Sequence, residues 1–100
     1  MVIVMSRKYP YERASGMMKV IAHPVRLRLI TLLEKGRMNV RQLQEAAGVK
    51  QSSTSQHLNT MARAGVLDRE RQGNEVFYYI KKKEVFKILS CIRNCCGKER

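Results

Sequence analysis

The chain has 100 residues, 44% of them hydrophobic, and its 20 Lys and Arg against 8 Asp and Glu give a formal charge of +12. That length holds one small domain with no room for a separate catalytic module, and the hydrophobic share supports a core and excludes wholesale disorder. So large a basic excess points to a polyanionic partner, nucleic acid first and an anionic membrane surface second.

Residues 1–10 read as a flexible start ending at Pro10. The apolar run after Met1 is too short for a leader core, and its charges, Arg7 and Lys8, lie on the wrong side of it. No stretch approaches the roughly 18 apolar residues of a membrane span. From Tyr11 the pattern is helical, with Ala14, Met17, Met18 and Ile21 on one stripe. His23-Pro24 breaks the chain, and Pro24 suits the first position of a second helix running to about Lys35, where Gly36 stops it. Val25, Leu29, Leu32 and Leu33 form its inner face, and Arg26 and Arg28 lie outside it. Asn39 suits the cap of a third helix with Val40, Leu43 and Ala47 inside, and Gly48 suits its left-handed end. A fourth helix begins near Gln51 or Ser52 and closes at Gly65. Two short helices around a glycine turn make a helix-turn-helix.

The rhythm then changes. Asp68 to Arg71 and Glu75 to Ile80 read as two strands around a Gln72-Gly73-Asn74 turn, a hairpin placed as a wing would be. Lys81–Lys83 lead into a last helix with Val85, Ile88, Leu89 and Ile92 on one stripe, which needs something to cover it. A chain this short buries only about 65% of its unfolded surface, so a dimer interface would help. The expected organisation is a flexible segment 1–10, a mainly helical winged helix-turn-helix over 11–96 with dimerisation helices at both ends, and a tail 97–100.

In the fourth helix, Gln51, Ser52, Ser55, Gln56, Asn59 and Arg63 share the outer face, and Thr54, Leu58, Met61 and Ala62 share the inner one. Gln and Asn can pair with an adenine edge, Ser suits base or phosphate, and the helix amino end offers N–H groups to a phosphate. The alternative is an ordinary solvated face. The hairpin carries Arg69, Arg71, Gln72 and Asn74 near its tip, suited to a phosphate backbone or minor groove, or else to a charged edge that resists strand pairing. Tyr78 and Tyr79 alternate faces, one toward the core and one under the wing.

From AHPVRLRLITLL at Ala22 through QLQEAAGVKQSSTSQHLNTMARAGVLDRERQGNEVFYYI to Ile80, the sequence resembles the ArsR/SmtB group of bacterial winged-helix repressors. Gln44 and Thr54 stand where the group usually has Ala and Val. The resemblance implies a homodimer that binds an imperfect palindrome of double-stranded DNA and blocks transcription, joined through the first and last helices. The interface residues would then be Met17, Ile21, Val85, Ile88, Leu89 and Ile92. It further implies Gln51, Ser52, Ser55 and Gln56 as base-facing positions, and His57 reads as structural, hydrogen-bonded beside the turn, with a DNA contact as the alternative. Members of the group release DNA on binding a metal or thiol oxidant. The stretch MNVRQLQEA lacks the Cys of one such site, and the last helix lacks the His of another. His23 and His57 lie far apart in the chain, and no zinc site is expected on them.

All three Cys, Cys91, Cys95 and Cys96, fall in the last ten residues, a poor disulfide framework that fits free thiols in a reducing cytoplasm. Cys91 and Cys95 are i, i+4 neighbours. Three readings stay open for them. They wrap a soft, thiophilic inducer such as As(III) as the helix end frays, they form a disulfide or persulfide switch, or they pack with no sensing role. Arg93 and Lys98 are expected to lower the thiol pKa values. A basic module lying on RNA or an anionic membrane is the competing class, with membrane association not expected. An enzyme is not expected, because Ser53, Ser55 and His57 have no carboxylate nearby to orient the imidazole and no glycine loop cradles a phosphate.

Overall fold

A computed structural model of the chain describes residues 10–97, so most of the expected flexible start and the tail lie outside the described residues. Pro10 precedes helix α1 (Tyr11–Ile21). His23 turns the chain, and its Nδ1 accepts from the Val25 N–H at 3.1 Å, capping α2 (Pro24–Leu33) with Pro24 in its first turn. α2 ends at Leu33, two residues before the expected Lys35.

Met38–Asn39 forms a two-residue strand, β1, that the sequence reading did not anticipate. Asn39 then caps α3 (Val40–Ala47). Its Oδ1 accepts from Gln42 N at 2.8 Å, and Gln42 Oε1 accepts from Asn39 N at 3.0 Å, a reciprocal capping box. Gly48 sits at φ 69°, in the left-handed region that ends α3 without a Cβ penalty. After Val49 and Lys50 comes α4 (Gln51–Arg63).

β2 (Leu67–Gln72) and β3 (Glu75–Ile80) form the wing, with Gln72 opposite Glu75. Gln72 is therefore the last strand residue, and Gly73-Asn74 alone make the turn, with positive φ at Gly73 (65°) only. β1 adds to the other side of β3, giving a three-stranded antiparallel sheet in the order β1-β3-β2. α5 (Glu84–Cys96) closes the fold.

The core is one cluster. Leu29 and Ile30 of α2, Leu43 of α3, Leu58 and Met61 of α4, and Val66 are all 0% exposed. Tyr78 is the core tyrosine, and Tyr79, half-buried, lies on the other face of the sheet. Thr54 is fully buried where a purely apolar residue would be simpler, and its hydroxyl donates to the Lys50 carbonyl at 2.8 Å, so burial leaves no unpaired group.

The expected dimer stripe needs correcting. Ile21, Val85 and Leu89 are buried in the protomer's own cluster and have almost no surface for a second copy. The first turns of α5 lie on the winged core, and the later turns run past its edge. Met17 and Ile88 are half-buried, Ile92 is exposed, and Met18 and Tyr11 add exposed apolar surface on α1.

Asn39 serves α3 and the sheet together, since its Nδ2 also donates to Glu75 Oε1. Asn39→Ala is expected to lose about 1–2 kcal/mol in urea denaturation. Asn39→Asp should not restore the loss, because a carboxylate keeps the cap but faces Glu75. Full recovery with Asp would show that the cap alone matters.

Candidate nucleic-acid interface

α4 presents its polar face outward. Gln51, Ser52, Gln56 and Arg63 are exposed, and Ser55 and Asn59 are half-buried at its flanks. Lys50 makes no side-chain cap, so the first N–H groups of α4 stay available to an outside acceptor. The turn before α4 is fixed from α2, because Arg28 donates to the Ala47 carbonyl at 2.9 Å, at the carboxyl end of α3.

On the wing side, cross-strand register puts Arg69 opposite Tyr78 and Arg71 opposite Val76, on the sheet face that carries the buried Tyr78. Arg69 donates to Asn59 Oδ1 at 2.9 Å and to the Tyr78 hydroxyl oxygen at 3.2 Å, with its guanidinium 5.9 Å from the Tyr78 ring. Two expected DNA contacts, Asn59 and Arg69, are thus bonded to each other and lock α4 to the wing. Arg71, Gln72 and Asn74 are exposed at the tip. The opposite sheet face carries Glu70, which pairs with Arg37, and Arg37 also lies 5.4 Å from the Tyr79 ring.

On the other flank, Arg26 reaches α4 from α2. Its Nε donates to His57 Nδ1 at 3.1 Å, and its NH1 donates to the Val20 carbonyl at 2.8 Å. His23 and His57, far apart in the chain, come together with ring centroids 4.6 Å apart. Burial, then His23 and Arg26, hold the His57 imidazolium below its ordinary value of 6.5. Sequence reading missed Arg26, Arg28, Arg37 and the histidine pair, because their partners are backbone carbonyls or distant side chains that no spacing rule reports.

The three cysteines are exposed and free. Cys91 and Cys95 come together, and the hydrogen bond and charge of Cys91 push the Cys95 thiol above its ordinary value. This corrects the expectation that Arg93 lowers it. The Arg93 guanidinium is spent on Glu34, with bonds of 2.7 and 3.2 Å that hold it in its charged form. Lys98 lies outside the described residues. Among the described residues, no three His, Cys, Asp or Glu side chains are grouped to hold a metal ion, so Cys96 does not join the Cys91–Cys95 pair here. Among them, too, no helix is long and apolar enough to cross a membrane.

A helix-turn-helix followed by a wing, with a polar helix outward and basic side chains beside it, defines a winged-helix nucleic-acid binder. Residues 23–69 match the family described as bacterial regulatory protein, arsR family. The chain is 35% identical to the transcriptional repressor PagR of Bacillus anthracis, over 92% of this chain and 96% of that protein. The crystal structure of PagR superposes with a TM-score of 0.74 at 36% identity, covering 82% of this chain and 94% of that one. NolR from Sinorhizobium fredii gives a TM-score of 0.85 at 28% identity over 99% of this chain and 100% of its own. A homodimeric winged helix-turn-helix DNA-binding domain from Mycobacterium bovis shares the fold, with a TM-score of 0.78 at 19% identity over 94% of this chain and 92% of that one. The chain belongs to the ArsR family and is a DNA-binding transcription regulator.

The Asn59–Arg69 bond generates a direct expectation. Asn59→Ala and Arg69→Ala should each weaken binding of a mixed-sequence duplex, and the double variant should show a coupling of about 0.5–3 kcal/mol. Strictly additive losses would show that the two side chains act separately.

Proposed function

We propose that the protein is a homodimeric transcriptional repressor that reads a palindromic operator through α4 and is released by an inducer at its terminal thiols. The observation that carries the DNA reading is the outward face of α4, with Gln51, Ser52, Ser55 and Gln56 clear of the core and the wing's arginines alongside. Gln56 is the base reader, Arg63 and Arg71 take phosphates, and Gln72 and Asn74 extend the wing's reach. Two copies meet through Met17, Met18, Ile88 and Ile92, the apolar surface the protomer leaves uncovered on α1 and α5. That surface is continuous with the core, so pairing it removes further apolar area from water. The dimer sets its two α4 helices about 34 Å apart, one turn of DNA.

Support for the inducer site is the donor set. Three exposed thiols lie at one helix end, two of them already adjacent, and soft sulfur ligands suit a thiophilic species such as As(III). Cys96 reaches the pair when the last turn of α5 unwinds before Gly97. The Cys91–Cys95 contact also suits a disulfide, so an oxidant forms the second arm of the test.

Operator selected from a random-sequence pool should be palindromic, and Gln56→Ala should change which variants are preferred while Arg71→Ala weakens all sequences alike. If both variants bind every duplex as wild type does, α4 is not the reading helix. Release by arsenite should be lost in Cys91→Ser, Cys95→Ser and Cys96→Ser, whereas release by a mild oxidant should need only Cys91 and Cys95. A complex that neither agent disturbs would remove the thiols from function.

A further inference from the structure

A cavity on α4 adjoins its outer face on the α2 side. Its volume is about 300 Å3, and Arg26, Gln56, His57, Asn59, Thr60 and Arg63 line it. Every lining residue is polar and none is acidic. Among the described residues, the ion pairs are Arg37 with Glu70 and Arg93 with Glu34, so neither Arg26 nor Arg63 meets a carboxylate. Arg26 is half-buried and fixed, with one nitrogen on the Val20 carbonyl and Nε on His57. His23 stands behind His57 at 4.6 Å between ring centroids. Cationic side chains have thus been gathered and oriented without a counter-charge.

The geometry points to a pocket for one phosphate of the DNA backbone, held between Arg26, His57 and Arg63. This rests on the reading of the protein as a DNA-binding regulator. Two guanidinium groups with no carboxylate in the lining suit an anion better than a base edge, which presents donors and acceptors side by side. Two guanidinium groups give the strong, charge-assisted bonds that phosphate oxygens accept. The pocket also shares Gln56 and Asn59 with the reading face, so a phosphate seated here fixes how deeply α4 sits in the groove.

His57 makes the contact proton-linked. In the free protein its Nδ1 accepts from Arg26, which requires the neutral ring, and the charged groups acting on it are Arg26 from α2 and His23 from the preceding turn, with Arg63 on its own helix lining the same cavity. Burial, then His23 and Arg26, oppose a charged ring. An arriving phosphate reverses the balance. Nδ1 takes up a proton from solvent, Arg26 Nε turns from the ring to a phosphate oxygen, and the imidazolium donates to the same group. A base whose pKa is depressed when free and raised when bound strengthens binding as pH falls through the window between the two values.

The test measures the affinity of a fluorescent mixed-sequence duplex of about three helical turns, as a function of salt, at about pH 6 and about pH 8. Wild type, His57→Gln and Arg63→Gln are compared, with Arg71→Ala as the wing control. Glutamine at position 57 keeps an acceptor for Arg26, and Arg63 is exposed, so that variant tests the pocket even where the first fails to fold. Wild type should bind about 3–10-fold more tightly at the lower pH, corresponding to a shift of up to about one pKa unit. His57→Gln should lose that gain, and Arg71→Ala should keep it. Arg63→Gln should lower the slope of log affinity against log salt by about 0.9 per protomer. A pH gain that survives in His57→Gln, or a salt slope unchanged in Arg63→Gln, overturns the pocket while duplex binding itself stands. A wild type that binds no duplex at either pH overturns the DNA reading beneath it.

Discussion

The helix that the proposed reading sets in the groove must neither roll nor slide, and α4 is pinned on three sides. Its inner face buries Thr54, Leu58 and Met61 at 0% exposure. Truncating a core side chain of that kind costs about 2–5 kcal/mol. Asn59 is tied to Arg69 on the wing side and His57 to Arg26 on the α2 side. Hydrogen bonds such as these contribute only about 0.5–1.5 kcal/mol each, so they do not decide whether α4 folds. They decide its roll about its own axis, which sets where Gln51, Ser52, Ser55 and Gln56 point. Burial fixes the position of the helix, and the two flanking braces fix its orientation.

The charge distribution follows the same division. Acidic groups are few, and those with resolved partners sit away from the outer face of α4. Glu34 holds Arg93, Glu70 holds Arg37, and Glu75 accepts from Asn39. Exposed pairs of this kind add at most about 1 kcal/mol to stability. Their larger effect is on the field, because the two ion pairs neutralise Arg37 beside the sheet and Arg93 at the α2–α5 junction. Of the described arginines outside those pairs, Arg26, Arg63 and Arg71 border the outer face of α4, while Arg13 and Arg41 lie on α1 and α3. Net charge alone says only that a polyanion is favoured; the placement of the few carboxylates says from which side.

Much of the fold was legible because the elements announce their own ends. Pro24, Asn39, Gly48 and Gly73 each satisfy a local backbone requirement that other residues meet poorly, and the apolar periodicity between them names the inner faces. β1 was not legible, since a two-residue strand has no periodicity and exists only because β3 offers it an edge. Arg26 and Arg28 read as solvent-facing because a partner that is a backbone carbonyl or a remote imidazole leaves no trace in the spacing. The stripe on α5 shows a further limit. Periodicity states that Val85, Ile88, Leu89 and Ile92 seek cover, but not whether the cover comes from the same copy. The structure divides them, with Val85 and Leu89 in the protomer's core and Ile92 beyond its edge. Asn59 and Arg69 illustrate the same ambiguity for polar residues, since spacing marked both as outward-facing and gave no sign that they bond to each other.

The thiol-bearing end of α5 and the reading helix are joined by a physical chain of contacts. Arg93, two residues from Cys91 and Cys95, holds Glu34 at the carboxyl end of α2. The same helix carries Arg26 and Arg28 near its amino end, the first gripping His57 and the second the end of α3. Leu29, Ile30 and Leu33 seat α2 in a close-packed core, so a displacement at Glu34 shifts the helix as a body rather than bending it. For the inducer proposed above, unwinding the last turn of α5 would break the Arg93–Glu34 bond on the helix that carries the two arginines holding His57 and the end of α3. The α5 end of that route is an exposed ion pair and the α4 end a part-buried hydrogen bond, with the rigid body of α2 between them.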